Sequence, residues 1–398
     1  KYWRQKSFTM PNIKEGCIIE YKYKIETPFM RIDDIYLQHT IPIKKMEMKA
    51  AIPEYFVFSK KLNPKASYFP RLIEEKINKT EQIQYREKTG IVSSSVSTSE
   101  VKYIEHKTSV NLTNVPALKV ERFVDNLDNY TAKLVWEYVM YKGPNGTIKN
   151  YAKNWEQVAK TIYEDGDFGV QLDKNSYYSE EINNLIKDVS DPLQRAGLIF
   201  NFVKSRVKWN GYVGFSTELG VRKALKEGAG NTADINLMLT SMLRFAGLKA
   251  NPVLVSTKNN GIPLFPTRTG FNYVISIIET ANGIVLLDAT EKFAKANVLP
   301  ERTLNWQGRI VREDGTSEWV KLVPNNSSVD MKSINYKINN DLSVEGKIRN
   351  QLTFHNALSF RNEFENLNEE QHIEILEKDN GEMVVSDLSI SNEKDLSK

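Results

Sequence analysis

The stretch Glu227-Gly-Ala-Gly-Asn-Thr-Ala-Asp234, read together with Phe271-Asn-Tyr-Val-Ile275 and Leu287-Asp-Ala-Thr290, decides the fold of this chain. The first stretch runs from glycines into a helix. Ile235, Met238, Leu239, Met242 and Ala246 recur at helical spacing and make one apolar face, and Gly247 terminates it. Strands follow near Pro252–Ser256, Phe271–Ile278 and Ile284–Asp288, with Asn282-Gly283 as a hairpin signal between the last two. Helices followed by antiparallel strands predict an α+β domain with one face of its sheet covered.

Upstream, Asn154 is placed to cap a helix with the stripe Trp155, Val158, Ala159, Ile162 and Tyr163. Ser190-Asp-Pro192 opens another, with proline where a first-turn N–H is dispensable, and its inward set is Leu193, Ala196, Ile199, Phe200 and Val203. Residues 1–148 read as β structure. Met46, Met48, Ala50, Ile52 and Leu134, Trp136, Tyr138, Met140 alternate with polar residues, and several short strands with turns between them suggest a β-sandwich. Cys17, Ile19, Tyr21, Tyr23 and Ile25 alternate in the same way, which predicts a half-buried strand. Val92 to Thr98 is serine-rich and reads as a loop or weak edge strand. Trp319-Val-Lys-Leu322 opens a third unit, which alternates again at Ile334, Tyr336 and Ile338, holds a helix from Glu369 to Lys378 and stops near strand-like Met383–Ile390. The expected division is 1–148, 149–317 and 318–398. The first residue is Lys rather than Met, so the expectation is a mature or truncated fragment whose flanking β domains are both incomplete, with any secretion signal upstream.

At 398 residues the chain is long enough for two or three domains, and 40% hydrophobic with 26% charged residues describes a folded chain. Lysine plus arginine exceed the acids by 54 − 50 = 4, too little and too scattered for a nucleic-acid partner. No run approaches the length of apolar residues that spans a membrane. No His/Cys cluster or calcium-loop spacing supports a metal, no glycine pattern cradles phosphate, and no cofactor is expected.

A thiol enzyme needs a thiolate and an imidazole base within hydrogen-bond reach. The chain has one cysteine, Cys17, and four histidines, His39, His106, His355 and His372, none of them between residues 107 and 354. The central helix and strands therefore hold no thiol and no imidazole.

Lys208-Trp-Asn-Gly211, the run Gly230 to Leu239, Leu243 to Leu248, Asn251 to Thr257, Phe271 to Ile275, Leu286 to Thr290 and Leu299-Pro-Glu-Arg302 resemble large envelope proteins of Gram-negative bacteria. Those have a transglutaminase-like, papain-type core preceded by a β-sandwich domain of unknown function and followed by another β domain. Met10 to Gly16 and Val115-Pro-Ala-Leu118 extend the likeness into the first domain. The resemblance implies an α+β core between two mainly β domains, and a periplasmic or outer-membrane associated location. In that family the three core motifs carry Cys, His and Asp; here Thr232 and Tyr273 stand in the first two places and only Asp288 is kept. Threonine at the start of the helix is a good N-cap and a poor nucleophile, and the Tyr273 phenol stays protonated at neutral pH. Tyr273 or Thr232 is placed to hydrogen-bond Asp288. Asn231, Asp234, Asn272, Trp209 and Asn210 are candidate cleft-lining residues. Asp234 in a first helical turn is also favoured by the helix dipole alone, and Trp209 by core packing. The expected function is a non-catalytic binding or assembly module whose partner is an envelope protein or a peptide or glycan ligand. The alternative is a peptidase, amidase or transglutaminase-type acyl transferase with an unconventional site.

Overall fold

The computed structural model describes residues 7–26, 30–88, 94–151, 154–381 and 383–396. The amino-terminal strands are β1 (Ile35–Tyr36), β2 (Ile43–Pro53), β3 (Phe56–Leu62), β4 (Ile73–Lys88), β5 (Ser94–Val115), β6 (Lys133–Lys142) and β7 (Ile148–Asn150). They pair as two antiparallel sheets, one ordered β1-β6-β3 with β7 on β6, the other β2-β5-β4. Met48, Val110 and Leu112 of the second sheet pack with Leu134 and Trp136 of the first, the inward sets that alternation predicts. The serine stretch takes the edge-strand alternative: Ser94 to Thr98 begins the long strand β5 and pairs from Ser94↔Lys88 to Thr98↔Gln84, while β2 joins β5 only from Glu105 on. The ladder there rests on backbone groups that β4 supplies; Val92 and Ser93 lie outside the described residues. Cys17 departs from expectation. It is exposed, as are Ile18, Tyr21, Tyr23 and Ile25, and no strand forms over 17–25. A lone extended segment has no ladder to hold it, so alternation without a partner strand buries nothing.

The central region begins with α1 (Trp155–Tyr163), α2 (Gly169–Leu172), α3 (Ser179–Ile186) and α4 (Pro192–Arg206). Asn154 caps α1 and Asp191 caps α4, each accepting a backbone N–H of the first turn. Of the α4 stripe, Ala196, Ile199, Phe200 and Val203 are buried, whereas Leu193 is 55% exposed. Then come β8 (Lys208–Trp209), α5 (Val221–Glu227), β9 (Ala229–Gly230) and α6 (Thr232–Phe245). Every residue of α6 from Thr232 to Leu243 is buried, so this helix is enclosed rather than amphipathic. It ends in a Schellman turn: Gly247 has φ 80°, its N–H reaches the Arg244 carbonyl at 2.9 Å, and Leu248 N–H reaches the Leu243 carbonyl at 3.1 Å.

Helix α6 lies on a five-stranded antiparallel sheet made of β10 (Ala250–Val255), β11 (Tyr273–Thr280), β12 (Gly283–Leu287), β13 (Gln307–Val311) and β14 (Ser317–Lys321), ordered β12-β11-β10-β13-β14. Thr280↔Gly283 closes the expected β11–β12 hairpin. Two expectations change here. Trp319 and its neighbours do not open a separate unit; they are the edge strand of the central sheet, with Trp319 opposite Arg309. Both faces of the sheet are covered, not one. Leu254, Val274 and Ile278 face the helices, while Val253, Tyr273, Ile275 and Ile310 pack with Leu299 of the connecting segment after β12. A strand buried on both faces reads as a nearly continuous apolar run, as Tyr273–Ile278 does with Ser276 as its one polar residue.

Beyond the sheet, β15 (Asp330–Ile338) and β16 (Val344–Leu352) form a two-stranded hairpin, followed by α7 (Phe354–Phe364) and α8 (Glu369–Asp379). The expected helix near 369–378 is present, capped by Asn368 with a return bond from Gln371. Met383–Ile390 forms no strand, and α7, which docks Leu358 against Phe293 and Val298, makes this end of the chain as helical as it is β.

These burials predict opposite outcomes for two truncations. Leu239→Ala, at a fully buried position of α6, should cost about 2–5 kcal/mol in urea unfolding. Cys17→Ala should leave the midpoint unchanged, and Cys17 should react with a thiol reagent in the native state; a protected Cys17 would show the placement to be wrong.

Candidate functional site

The start of α6 is built by Asn231, not Thr232. Asn231 is extended, with φ −78° and ψ −179°; its Oδ1 accepts the Asp234 N–H at 2.8 Å and its own N–H donates to Asp234 Oδ2 at 3.0 Å, a reciprocal capping box. The expected cap at Thr232 is thereby corrected. An N-cap must be extended for its side chain to reach the first turn, and Thr232 is already helical. The Asn231-x-x-Asp234 spacing carries this signal in the sequence.

Thr232 is fully buried. Its Oγ1 donates to the Gly214 carbonyl at 2.6 Å and accepts the Gly214 N–H at 2.9 Å, and its own N–H donates to the Tyr212 carbonyl at 3.3 Å. The loop 211–220 is held to α6 at further points: Asn231 Nδ2 donates to Ser216 O at 3.0 Å, and Asp234 accepts the Gly220 N–H at 2.9 Å. The carboxylate of Asp234, with no exposed surface, serves as cap and loop anchor. Because the N–H groups of Thr232 and Asp234 already have acceptors, they are not free to bind a developing oxyanion.

Tyr273 and Asp288 do meet. The phenol donates to Asp288 Oδ2 at 2.8 Å and lies 2.9 Å from Thr290 Oγ1. Asp288 Oδ1 accepts from Asn236 Nδ2 at 2.9 Å, from Thr290 N–H at 3.0 Å and from Thr290 Oγ1 at 2.7 Å. Neither Tyr273 nor Asp288 bonds Thr232 among the described residues. Instead Asn236, one turn along the same face of α6, joins helix to sheet: besides Asp288 it donates to the Val274 carbonyl at 2.9 Å, and it accepts the Ala289 N–H at 2.9 Å.

Arg302 completes the arrangement. Its Nη2 donates to Tyr273 Oη at 3.1 Å and Thr290 Oγ1 at 2.6 Å, its Nη1 bonds Glu291, and its guanidinium lies 4.1 Å from the centre of the Trp209 ring. Trp209 in turn donates Nε1–H to the Tyr212 carbonyl at 2.8 Å. Burial, reinforced by the Asp288 carboxylate, pushes the Tyr273 phenol well above its ordinary pKa, so it is a hydrogen-bond donor and no base at neutral pH. Burial works against the Arg302 charge, but Tyr273, Asp288 and Glu291 outweigh it and hold the guanidinium protonated. Asn272 lies apart from this knot and clips two strand ends, donating to Thr257 Oγ1 at 2.9 Å and accepting the Thr257 N–H at 2.8 Å. Asn210 is exposed and accepts the Tyr212 N–H at 3.0 Å. The sequence alone assigns no role to Arg302 or Asn236. A carboxamide inside an apolar helix run was the available signal for Asn236; nothing local marks Arg302. Among the described residues no three His, Cys, Asp or Glu side chains group as a metal site requires.

Residues 180–286 match the model of the transglutaminase-like superfamily. That segment is similar to a transglutaminase-like core. The match spans α3 to β12, and Asp288 lies two residues beyond its end. No curated protein matches the chain. Among solved structures, a candidate protease from Parabacteroides distasonis is similar at 13% identity and a TM-score of 0.44, over 73% of this chain and 47% of that one, so the chain spans about half the length of that relative. A candidate cysteine protease from Cytophaga hutchinsonii is similar at 11% identity and a TM-score of 0.25, over 79% of this chain and 92% of that one.

Within the transglutaminase-like core, Asn236→Ala should cost more than Thr232→Ala. The first strips partners from Asp288, Val274 and Ala289; the second strips them from Gly214 alone, and each buried group left unpaired is worth about 1–3 kcal/mol. Equal unfolding midpoints would contradict the described network. A pH prediction follows as well. Tyr273 is raised by burial, and Tyr178 is pushed up to about 12 by burial. The unfolded chain therefore releases these protons first as pH climbs past about 10, so stability is intact below that and falls above it. Phenolate absorbance of these buried tyrosines should rise only together with loss of the helical signal; ionisation in the native state near the ordinary value would be inconsistent with it.

Proposed function

We propose that this chain is a non-catalytic transglutaminase-like protein that works as a binding or assembly module for protein or glycan. The observation that carries the reading is the closure of Thr232: the group in the nucleophile's place is buried and committed in both hydrogen-bonding directions to Gly214. Tyr273, in the place of the base, is a protonated donor tied to Asp288. A nucleophile needs an exposed atom and a base beside it, and a hydroxyl without either does not attack a carbonyl. In this reading Thr232, Tyr273 and Asp288 are vestigial triad positions, and the flanks include a β-sandwich-like domain.

The location in this reading is the envelope of a Gram-negative bacterium, periplasmic or associated with the outer membrane, and it rests on the sequence resemblance. No described helix is long and apolar enough to cross a membrane. The competing reading is a peptidase, amidase or acyl transferase, the first of which the names of the two similar structures suggest for those proteins.

The test rebuilds the missing chemistry. In Thr232→Cys combined with Tyr273→His, a cysteine-directed electrophile should label Cys17 first, since that thiol is exposed, and residue 232 only on unfolding. The double variant should hydrolyse no peptide and transfer no acyl group. Rapid, pH-dependent labelling at residue 232 ahead of Cys17 would reveal an electrostatically active cleft and favour the enzyme.

A further inference from the structure

Arg302 and Glu291 also border an open cleft of about 720 Å3, enclosed by the turn 300–304, the segment 324–328 and the side of α7 that carries Asn356 and Ser359. We propose that this cleft binds a neutral oligosaccharide through its hydroxyl groups. The assignment rests on the reading of the chain as a binding module, and it places the ligand away from Thr232.

The lining selects the ligand class. The side chains of Asn325, Asn326, Ser327, Asn356 and Ser359 bond no other described residue. Each offers both a donor and an acceptor, as does every sugar hydroxyl. Glu291, held by Arg302 and by Asn362 Nδ2 at 3.1 Å, adds a charged acceptor beside a charged donor, the combination that makes the stronger hydrogen bonds to hydroxyl groups.

Other ligand classes fit poorly. The cleft's cations are already paired, Lys258 with Glu301 at 3.0 Å and Asp125 at 3.4 Å, and Arg302 with Glu291, so an ionic ligand meets no unpaired charge. The apolar lining is Pro300, Leu304, Pro324 and Leu358, the last only 5% exposed, which is too little to hold a lipid or a run of apolar side chains. Among the described residues no strand borders the space, so an extended peptide finds no sheet edge there to continue. The volume suits a short oligosaccharide.

The experiment uses the full chain labelled with nitrogen-15, titrated with maltotetraose, cellotetraose and chitotetraose, and in parallel with an end-blocked alanine tetrapeptide. At least one sugar should shift amide signals confined to Lys258, Glu291, 301–304, 325–328 and 355–362, and its affinity should fall about tenfold or more in Asn356→Leu and measurably in Asn326→Ala. Asn326 is exposed, so its variant reports on binding even where Asn356→Leu fails to fold. Silence with all three sugars, shifts elsewhere on the protein, affinity unchanged in both variants, or shifts with the tetrapeptide alone would each overturn the assignment. Peptide hydrolysis by the unmodified chain, lost in Thr232→Ala, would defeat the underlying non-catalytic reading and leave the titration to decide the cleft separately.

Discussion

A carboxylate taken out of water must be met by donors, and in this protein Asp288 imposes that condition on everything around it. It is 1% exposed and is served by Asn236 from the helix, Tyr273 from the sheet and Thr290 from the turn that follows it. No one of these elements supplies enough donors alone. The relative placement of α6, β11 and the segment after β12 is therefore a condition for burying the charge, and Arg302 closes the far side with the only guanidinium that contacts Tyr273 among the described residues. Buried polar networks of this kind are favourable when fully satisfied and costly when one member is lost.

A second set of hydrogen bonds, at the start of the same helix, supports the proposed non-catalytic reading. At the helix amino terminus, the natural place to stabilise a thiolate or an oxyanion, Tyr212 of the loop accepts the Thr232 N–H, the cap Asn231 accepts the Asp234 N–H, and Gly214 takes both hydrogen-bonding capacities of the Thr232 hydroxyl. What in a catalytic site would point at substrate here points at neighbouring backbone. Helix α6 thus carries both sets of bonds, one turn apart, and an open polar space lies beside Arg302 and Glu291.

Local signals were legible in the sequence wherever the cause was local. Asn154 and Asp191 cap their helices, Gly247 ends α6, and Asn282-Gly283 turns the β11–β12 hairpin, because each depends on a few adjacent backbone groups. The sequence offers Tyr273 or Thr232 as the partner of Asp288, and the structure takes Tyr273, which begins β11 while Asp288 directly follows β12 of the same hairpin. Failures came where the partner is distant. Cys17 has the pattern of a buried strand and no neighbour to bury it; Trp319 belongs to the central sheet because β13 pairs with it; Arg302 enters the knot through contacts 29 and 12 positions away in sequence, to Tyr273 and Thr290. Thr232 was misread as the cap because the true cap, Asn231, sits one residue earlier, and a shift of one residue changes which side chain faces the first turn.

The claim that Asp288 fastens helix to sheet can be measured directly by a double-mutant cycle with Asn236→Ala and Asp288→Ala, read by equilibrium urea unfolding of the two single variants and the double. The account predicts a coupling of at least about 1 kcal/mol between the two positions, because once either partner is gone the other has lost the bond across the helix–sheet interface. Additive effects, within measurement error, would show that the two side chains act independently and would contradict it.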